Sequence, residues 1–188
     1  MRLTTLAAII LTLSLCAVAA HAQEPSGAYK VDYFDNAHTT GAPDATVRIT
    51  NPGTAGAGIC ANIFVFNTDE ELQQCCACPL VPNGLRKLSV NNDLTSHPLT
   101  GVTLTSGTIE IVSTAQTATG QCEAPYNLKP IQALSAWATH IQDSSFTVTE
   151  SPSQDATLSQ WEISTLGKQC GAINRGTTGG PCTCGTGN

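Results

Sequence analysis

The fold class this sequence predicts is mainly β: a single antiparallel β-sandwich or barrel-like domain with one late amphipathic helix, stapled by disulfides. Three observations predict it. Short strand patterns recur along the chain, bounded by Gly, Pro, Asn and Thr turns. One late stripe of apolar residues has helical spacing and a capping box in front of it. Eight cysteines follow an export signal in a chain of which only 12 % is Asp, Glu, Lys or Arg.

The export signal comes first. Met1-Arg2 is a minimal basic start, Leu3 to Ala20 is almost wholly apolar or small, and Ala20-His21-Ala22 supplies the small-x-small pattern that signal peptidase cuts behind. Residues 1–22 therefore read as a signal peptide and the mature chain as starting at Gln23, secreted or periplasmic. A membrane anchor would need about 20 apolar residues with no cleavage pattern behind them, and Thr4, Thr5, Thr12 and Ser14 interrupt this run. A lipidated cysteine would follow a small residue, whereas Cys16 follows Leu15. Cleavage leaves 166 of the 188 residues, enough for one domain with its own core. Seven basic residues then face fourteen acidic ones, and only Arg86-Lys87 cluster. Such a surface argues against nucleic acid and, once the signal is removed, against anionic membranes as partners.

Residues 23–44 read as a turn-rich N-terminal segment with one short strand around Tyr29 to Phe34, ahead of a disulfide-rich β domain over 45–188. Ala45 to Thr50 alternates, with Val47 and Ile49 on one face and Thr46, Arg48 and Thr50 on the other. Asn51 to Gly58, rich in Gly and Pro, breaks the chain. Ile59 to Phe66 is apolar on both faces and reads as a central strand. Asn67 to Gln74 switches to helix formers, with Asp69-Glu70-Glu71 suited to a first turn. The residue types predict a one- to two-turn helix that delivers Cys75, Cys76 and Cys78 to one place and is stopped by Pro79 and Pro82-Asn83-Gly84. Val102 to Ile111 reads as a hairpin about Ser106-Gly107, because apolar meets apolar and polar meets polar at every rung.

Beyond it, 113–130 is small, polar and loop-like around Cys122. Ile131 to Ile141 fits neither the helix nor the strand period, and Phe146 to Thr149 alternates as a strand. Ser159 and Glu162 form a capping box, Leu158 and Ile163 a hydrophobic staple, and Ile163, Leu166, Cys170 and Ile173 one stripe, so a helix is expected near 160–173, ended by Asn174-Arg175-Gly176.

The mature cysteines are Cys60, Cys75, Cys76, Cys78, Cys122, Cys170, Cys182 and Cys184. Eight cysteines allow 105 connectivities, and spacing offers only hints. Adjacent Cys75 and Cys76 are poor partners for each other, and pairing between the 75–78 cluster and Cys182/Cys184 would staple the chain's end to its middle. The segments Ala45 to Gly53, Cys60 to Phe66, Cys75-Cys-Ala-Cys-Pro79 and Pro181-Cys-Thr-Cys-Gly185 resemble a group of uncharacterised, secreted, cysteine-rich proteins of soil bacteria. That resemblance implies export and disulfides and carries no catalytic residue across.

Motifs for chemistry are sparse. The spacings C-C-x-C and C-x-C match zinc knuckles poorly, and Cys75 to Cys78 lacks a thioredoxin-like surrounding. There is no G-x-S-x-G, H-E-x-x-H, P-loop or G-x-G-x-x-G pattern. Hence no catalytic, cofactor-binding or metal residue is expected, and no cofactor. His38 and His97 read as solvated loop residues, and His140, beside Trp137 and Ile141, as a partly buried structural histidine. Asp32 and Asp35, flanking Tyr33-Phe34, read as solvated loop acids. The expected function is a non-catalytic extracellular structural, adhesive or binding role toward a protein or carbohydrate, with self-association through exposed strand edges or a donated segment 23–44. The alternatives are a secreted hydrolase of an extracellular polymer, and a protease-inhibitor-like module presenting Leu80 to Arg86.

Overall fold

The computed structural model describes residues 27–122, 128–173, 182 and 184. Among them the strands are β1 (Tyr29–Phe34), β2 (Thr46–Thr50), β3 (Ile59–Phe66), β4 (Leu72–Leu80), β5 (Leu85–Ser89), β6 (Gly107–Ala115), β7 (Ser135–Gln142), β8 (Thr147–Pro152) and β9 (Gln154–Asp155), and the α-helix is α1 (Gln160–Ile173). A single π-helical turn, Val90–Leu94, follows β5. All pairings are antiparallel. Sheet A has the order β4-β3-β6-β1-β9 and sheet B the order β5-β2-β7-β8.

The two sheets face each other over one core, so the sandwich alternative of the sequence holds. Strand alternation supplies its residues: Ile59, Ala61, Ile63 and Val65 from β3, Ile109 and Ile111 from β6, Val47 and Ile49 from β2, Ala136 and Ala138 from β7. The other face of sheet A carries a second cluster, in which Tyr29, Phe64, Leu72 and Val112 pack against Leu158, Ile163, Leu166 and Cys170 of α1 and its approach. β3 is thus covered on both sides, as its two-faced apolar pattern requires. The helix starts as its capping box dictates: the Ser159 amide donates to Glu162 Oε2 at 2.7 Å, and the Glu162 amide donates to Ser159 Oγ at 3.2 Å.

Four disulfides join Cys60–Cys122, Cys75–Cys170, Cys76–Cys184 and Cys78–Cys182. The alternation of β4 sorts them. Cys75 faces outward and bonds the helix, while Cys76 and Cys78 face the core and bond the chain's end. The expected pairing between the 75–78 cluster and Cys182/Cys184 is therefore present. Every bond reaches β3 or β4 in sheet A, and none reaches a strand of sheet B.

Two elements differ from expectation. The helix over 67–74 is a turn followed by β4. Asn67 Oδ1 accepts from the amides of Asp69 (3.0 Å) and Glu71 (2.8 Å), and Glu70 sits at φ 63°, which closes a hairpin instead of capping a helix. The outer edge of β3 needs a partner, and that demand overrides helix propensity over Leu72–Gln74. Pro79, expected to stop the helix, is tolerated because β4 is an edge strand.

The hairpin at Ser106-Gly107 does not form. Both edges of β6 are taken, by β3 and by β1, so Ile111 lies opposite Ile63 and Ile109 opposite Asp32. Residues 102–106 instead run to the core edge, where Leu104 is buried and Thr105 O accepts from the Ala37 amide at 2.9 Å. Gly107 serves close approach, since a Cβ there would stand 2.0 Å from Phe66 O.

From Ser135 onward the ambiguous run 131–141 resolves as β7, and the segment 23–44 contributes β1, which lies between β6 and β9 in the chain's own sheet. The signal at 1–22 and the helix stop at Asn174 to Gly176 lie outside the described residues. No described helix is long and apolar enough to cross a membrane.

Candidate functional site

Two places bring chemistry-bearing residues together. The first is buried between the sheets. On β1 the alternation that turns Phe34 inward turns Asp32 inward too, and on β7 His140 follows Ala136 and Ala138 on the core side. His140 is 2 % and Asp32 7 % exposed. Between β8 and β9 the chain crosses from sheet B to sheet A at Ser153, whose amide donates to Ala136 O at 3.0 Å and whose hydroxyl donates to Asp32 Oδ2 at 2.6 Å. Asp32 Oδ1 accepts from the Tyr33 amide at 2.9 Å and lies 3.3 Å from His140 Nε2. That same Nε2 is 2.9 Å from Ser151 Oγ, while Nδ1 is 3.2 Å from Tyr33 O. The Tyr33 ring stacks on the imidazole at 4.1 Å.

A carbonyl only accepts, so Nδ1 carries a proton and donates it to Tyr33 O, while Nε2 faces both Ser151 Oγ and Asp32 Oδ1. A nucleophile–base–carboxylate relay needs hydroxyl and carboxylate on opposite ring nitrogens. Here both stand at Nε2, and the arrangement works as a latch between the sheets. His140 lies deeper than the partly buried position the sequence suggests, with both ring nitrogens in contact with polar groups. Asp32 corrects the reading of a solvated loop acid, because β1 carries it into the core. Asp35 is half-buried, and His38 and His97 are exposed, with His38 Nε2 2.8 Å from Thr95 Oγ1.

The second place is the outer face of sheet B, and the sequence did not single it out. Strand registers put Lys87 of β5 opposite Arg48 of β2, and Arg48 opposite Trp137 of β7, which lies opposite Pro152 of β8. One row thus crosses the whole sheet. Thr46, Thr139 and Glu150 lie beside it: the Thr46 and Thr139 hydroxyls are 3.3 Å apart, and the Arg48 guanidinium pairs with Glu150. Trp137 is 36 % exposed, and among the described residues no helix or strand lies over this face. Thr46, Arg48 and Thr50 were legible as a polar face. The row was not, since its members come from strands about 40 and 90 residues apart.

The outer face of sheet A differs. There the Tyr29 phenol hydrogen-bonds Glu110 close to Glu162 of α1. Burial pushes both groups up, Glu110 above its usual 4.5 and Tyr29 beyond the ordinary phenol range.

The eight cysteines are all bonded, and among the described residues no group of three or more His, Cys, Asp or Glu side chains is placed to hold a metal ion. Leu80 to Arg86 forms a tight turn braced by Asn51, whose carbonyl accepts from the Asn83 amide at 2.8 Å, with Val81 and Leu85 exposed. No protein-family model, no curated protein and no solved structure matches the chain.

Proposed function

We propose that this chain is a secreted, disulfide-stapled β-sandwich with a non-catalytic binding role outside the cell, and that it holds a carbohydrate polymer on the outer face of sheet B. Four disulfides suit an oxidising compartment, and export from residues 1–22, with membership of the secreted cysteine-rich group, belongs to the same proposal. The observation that carries the reading is Trp137. It is a large aromatic left partly bare at the centre of a sheet face, ringed by Thr46, Arg48, Thr139 and Glu150. An indole presents a flat apolar surface for the C–H face of a sugar ring, and the surrounding hydroxyls, guanidinium and carboxylate match the alternating donors and acceptors of sugar hydroxyls. A protein partner of ordinary interface size would ask for a larger apolar centre than one tryptophan among polar neighbours.

The test is affinity electrophoresis of the exported protein through gels containing neutral and acidic polysaccharides. Retardation by at least one polymer, abolished in Trp137→Ala with the fold intact by circular dichroism, is the expected result. Passage through every gel without retardation, or retardation indifferent to Trp137→Ala, sinks the reading.

A further inference from the structure

We infer that the polymer held on sheet B is acidic, a polyuronate-like chain whose carboxylates sit on Lys87 and Arg48 while a sugar ring lies on Trp137. The inference rests on the reading that this face binds carbohydrate, and its own support is charge. On the outer face of sheet B, Arg48 and Lys87 stand against one acid, Glu150, while Arg86, opposite Ile49, lies on the other face of β5; the strands of sheet A carry Lys30 against Asp32, Glu110 and Asp155. In a chain with 14 acidic and 8 basic residues, this bare outer face carries two cations and one acid.

Within that sheet Arg48 and Lys87 are directly opposite each other on the same face. Like charges in such a position repel and weaken the strand pair. Glu150 offsets Arg48, but Lys87 forms no salt bridge among the described residues. Acids before β2, after β5 and after β7 have partners of their own. Asp44 accepts from Ser89 Oγ and the Asn91 amide, Asp93 from the Ser89 amide, and Asp143 from Ser145 and Thr147. An arrangement that costs stability and leaves an ammonium unpaired two strands from a stacking surface is what an anionic ligand would relieve. Glu150 occupies one arm of the Arg48 guanidinium, and its other donors remain for a carboxylate. With strands about 4.8 Å apart, Lys87, Arg48 and Trp137 span roughly 10 Å, within reach of consecutive sugar rings.

Polygalacturonate and its methyl ester separate charge from ring shape, since both share one backbone. Titration calorimetry at low salt on the full disulfide-bonded chain should show polygalacturonate bound at least tenfold tighter than the ester. Lys87→Glu should lose at least tenfold toward polygalacturonate and leave the ester unaffected, and Lys87→Gln should fall between. Lys87 is exposed on an edge strand, so these variants keep the fold, which an unchanged melting temperature to within a few degrees would verify. Equal affinity for the two polymers, with Lys87→Glu silent, overturns the acidic ligand while the polymer-binding reading stands. Binding to neither polymer, with retardation by a neutral glycan that Trp137→Ala abolishes, overturns it in the same way. No binding of any polysaccharide removes both.

Discussion

On the outer face of sheet A, α1 lies over Tyr29, Phe64 and Val112 and is bonded to β4 through Cys75–Cys170. On the outer face of sheet B, Lys87, Arg48 and Trp137 stand in a row with nothing described above them. All four disulfides tie sheet A to the chain around it, and sheet B is held by its hydrogen-bonded ladders, the shared core and the Asp32–His140 latch. The contrast teaches where stability is concentrated. With sheet A covered and cross-linked, sheet B can keep an exposed aromatic and a repulsive pair of cations without losing the fold. Binding surfaces generally stand on scaffolds stabilised elsewhere.

The strongest way to break this division is to remove the staples. Cys60–Cys122 spans 62 residues, and by loop-closure entropy the double alanine variant should lose about 4 kcal/mol. Cys75–Cys170 spans 95, but with Cys78–Cys182 intact the circuit it closes is only about 15 residues, 12 from Cys170 to Cys182 and 3 from Cys78 to Cys75. Its loss should therefore cost about 3 kcal/mol, less than its sequence span suggests. Urea unfolding of the two double variants measures both. The reverse ranking would show that the helix cover, rather than chain entropy, dominates on this side.

A second cut goes through the latch. Asp32→Ala leaves the buried Ser153 hydroxyl, the Tyr33 amide and His140 each short of a partner, a loss of about 2 kcal/mol. Amide hydrogen exchange in the same variant should rise first in β7 and β8, next to the crossover, and not in β3. Uniform acceleration would mean that the two sheets do not differ in local stability.

How far the sequence carried this picture depends on the range of the forces involved. The Ser159–Glu162 box and the stripe through Cys170 are set by neighbours three and four residues away, and α1 appears where those residues place it. Ile59–Phe66 declares a two-sided strand by composition alone. The misread elements are settled at long range. Gly107–Ala115 looked self-paired because its apolar rungs match Val102–Thr105, yet β1 and β3 take both of its edges. Asn67–Gln74 looked helical until β3's need for a partner is counted. Asp32 looked solvated because its burial depends on His140 and Ser153, each more than 100 residues away. The row Lys87, Arg48, Trp137 exists only once three strands are in register.

A smaller effect probes the covered face. Burial raises Glu110, so the folded state holds its proton more tightly than the unfolded chain does. The associated stability is complete below the usual 4.5 and is lost as pH rises through the raised value. Glu110→Gln keeps an acceptor for the Tyr29 phenol but cannot ionise. Relative to the parent, the variant should therefore gain stability with rising pH and show no gain below about pH 4.5. Comparing the two proteins, rather than following one, removes the opposing contributions of Asp143, Asp155 and Glu162, whose own partners hold them low. A constant difference across pH would mean that Glu110 is solvated and the helix cover incomplete.

The smallest effect bears most directly on the open face. Lys87→Glu replaces a like-charge neighbour of Arg48 with an opposite one, and cross-strand pairs of this kind differ by a few tenths of a kcal/mol. The variant should be about 0.5 kcal/mol more stable than the parent at low salt, with the gain fading as salt screens the pair. It is also the substitution expected to weaken polyuronate binding at least tenfold. A change that strengthens the sheet while weakening the binding would show that Lys87 is kept for the surface and against the fold. If Lys87→Glu instead destabilises, the ammonium makes a favourable contact with sheet B, and the two faces differ less in purpose than in cover.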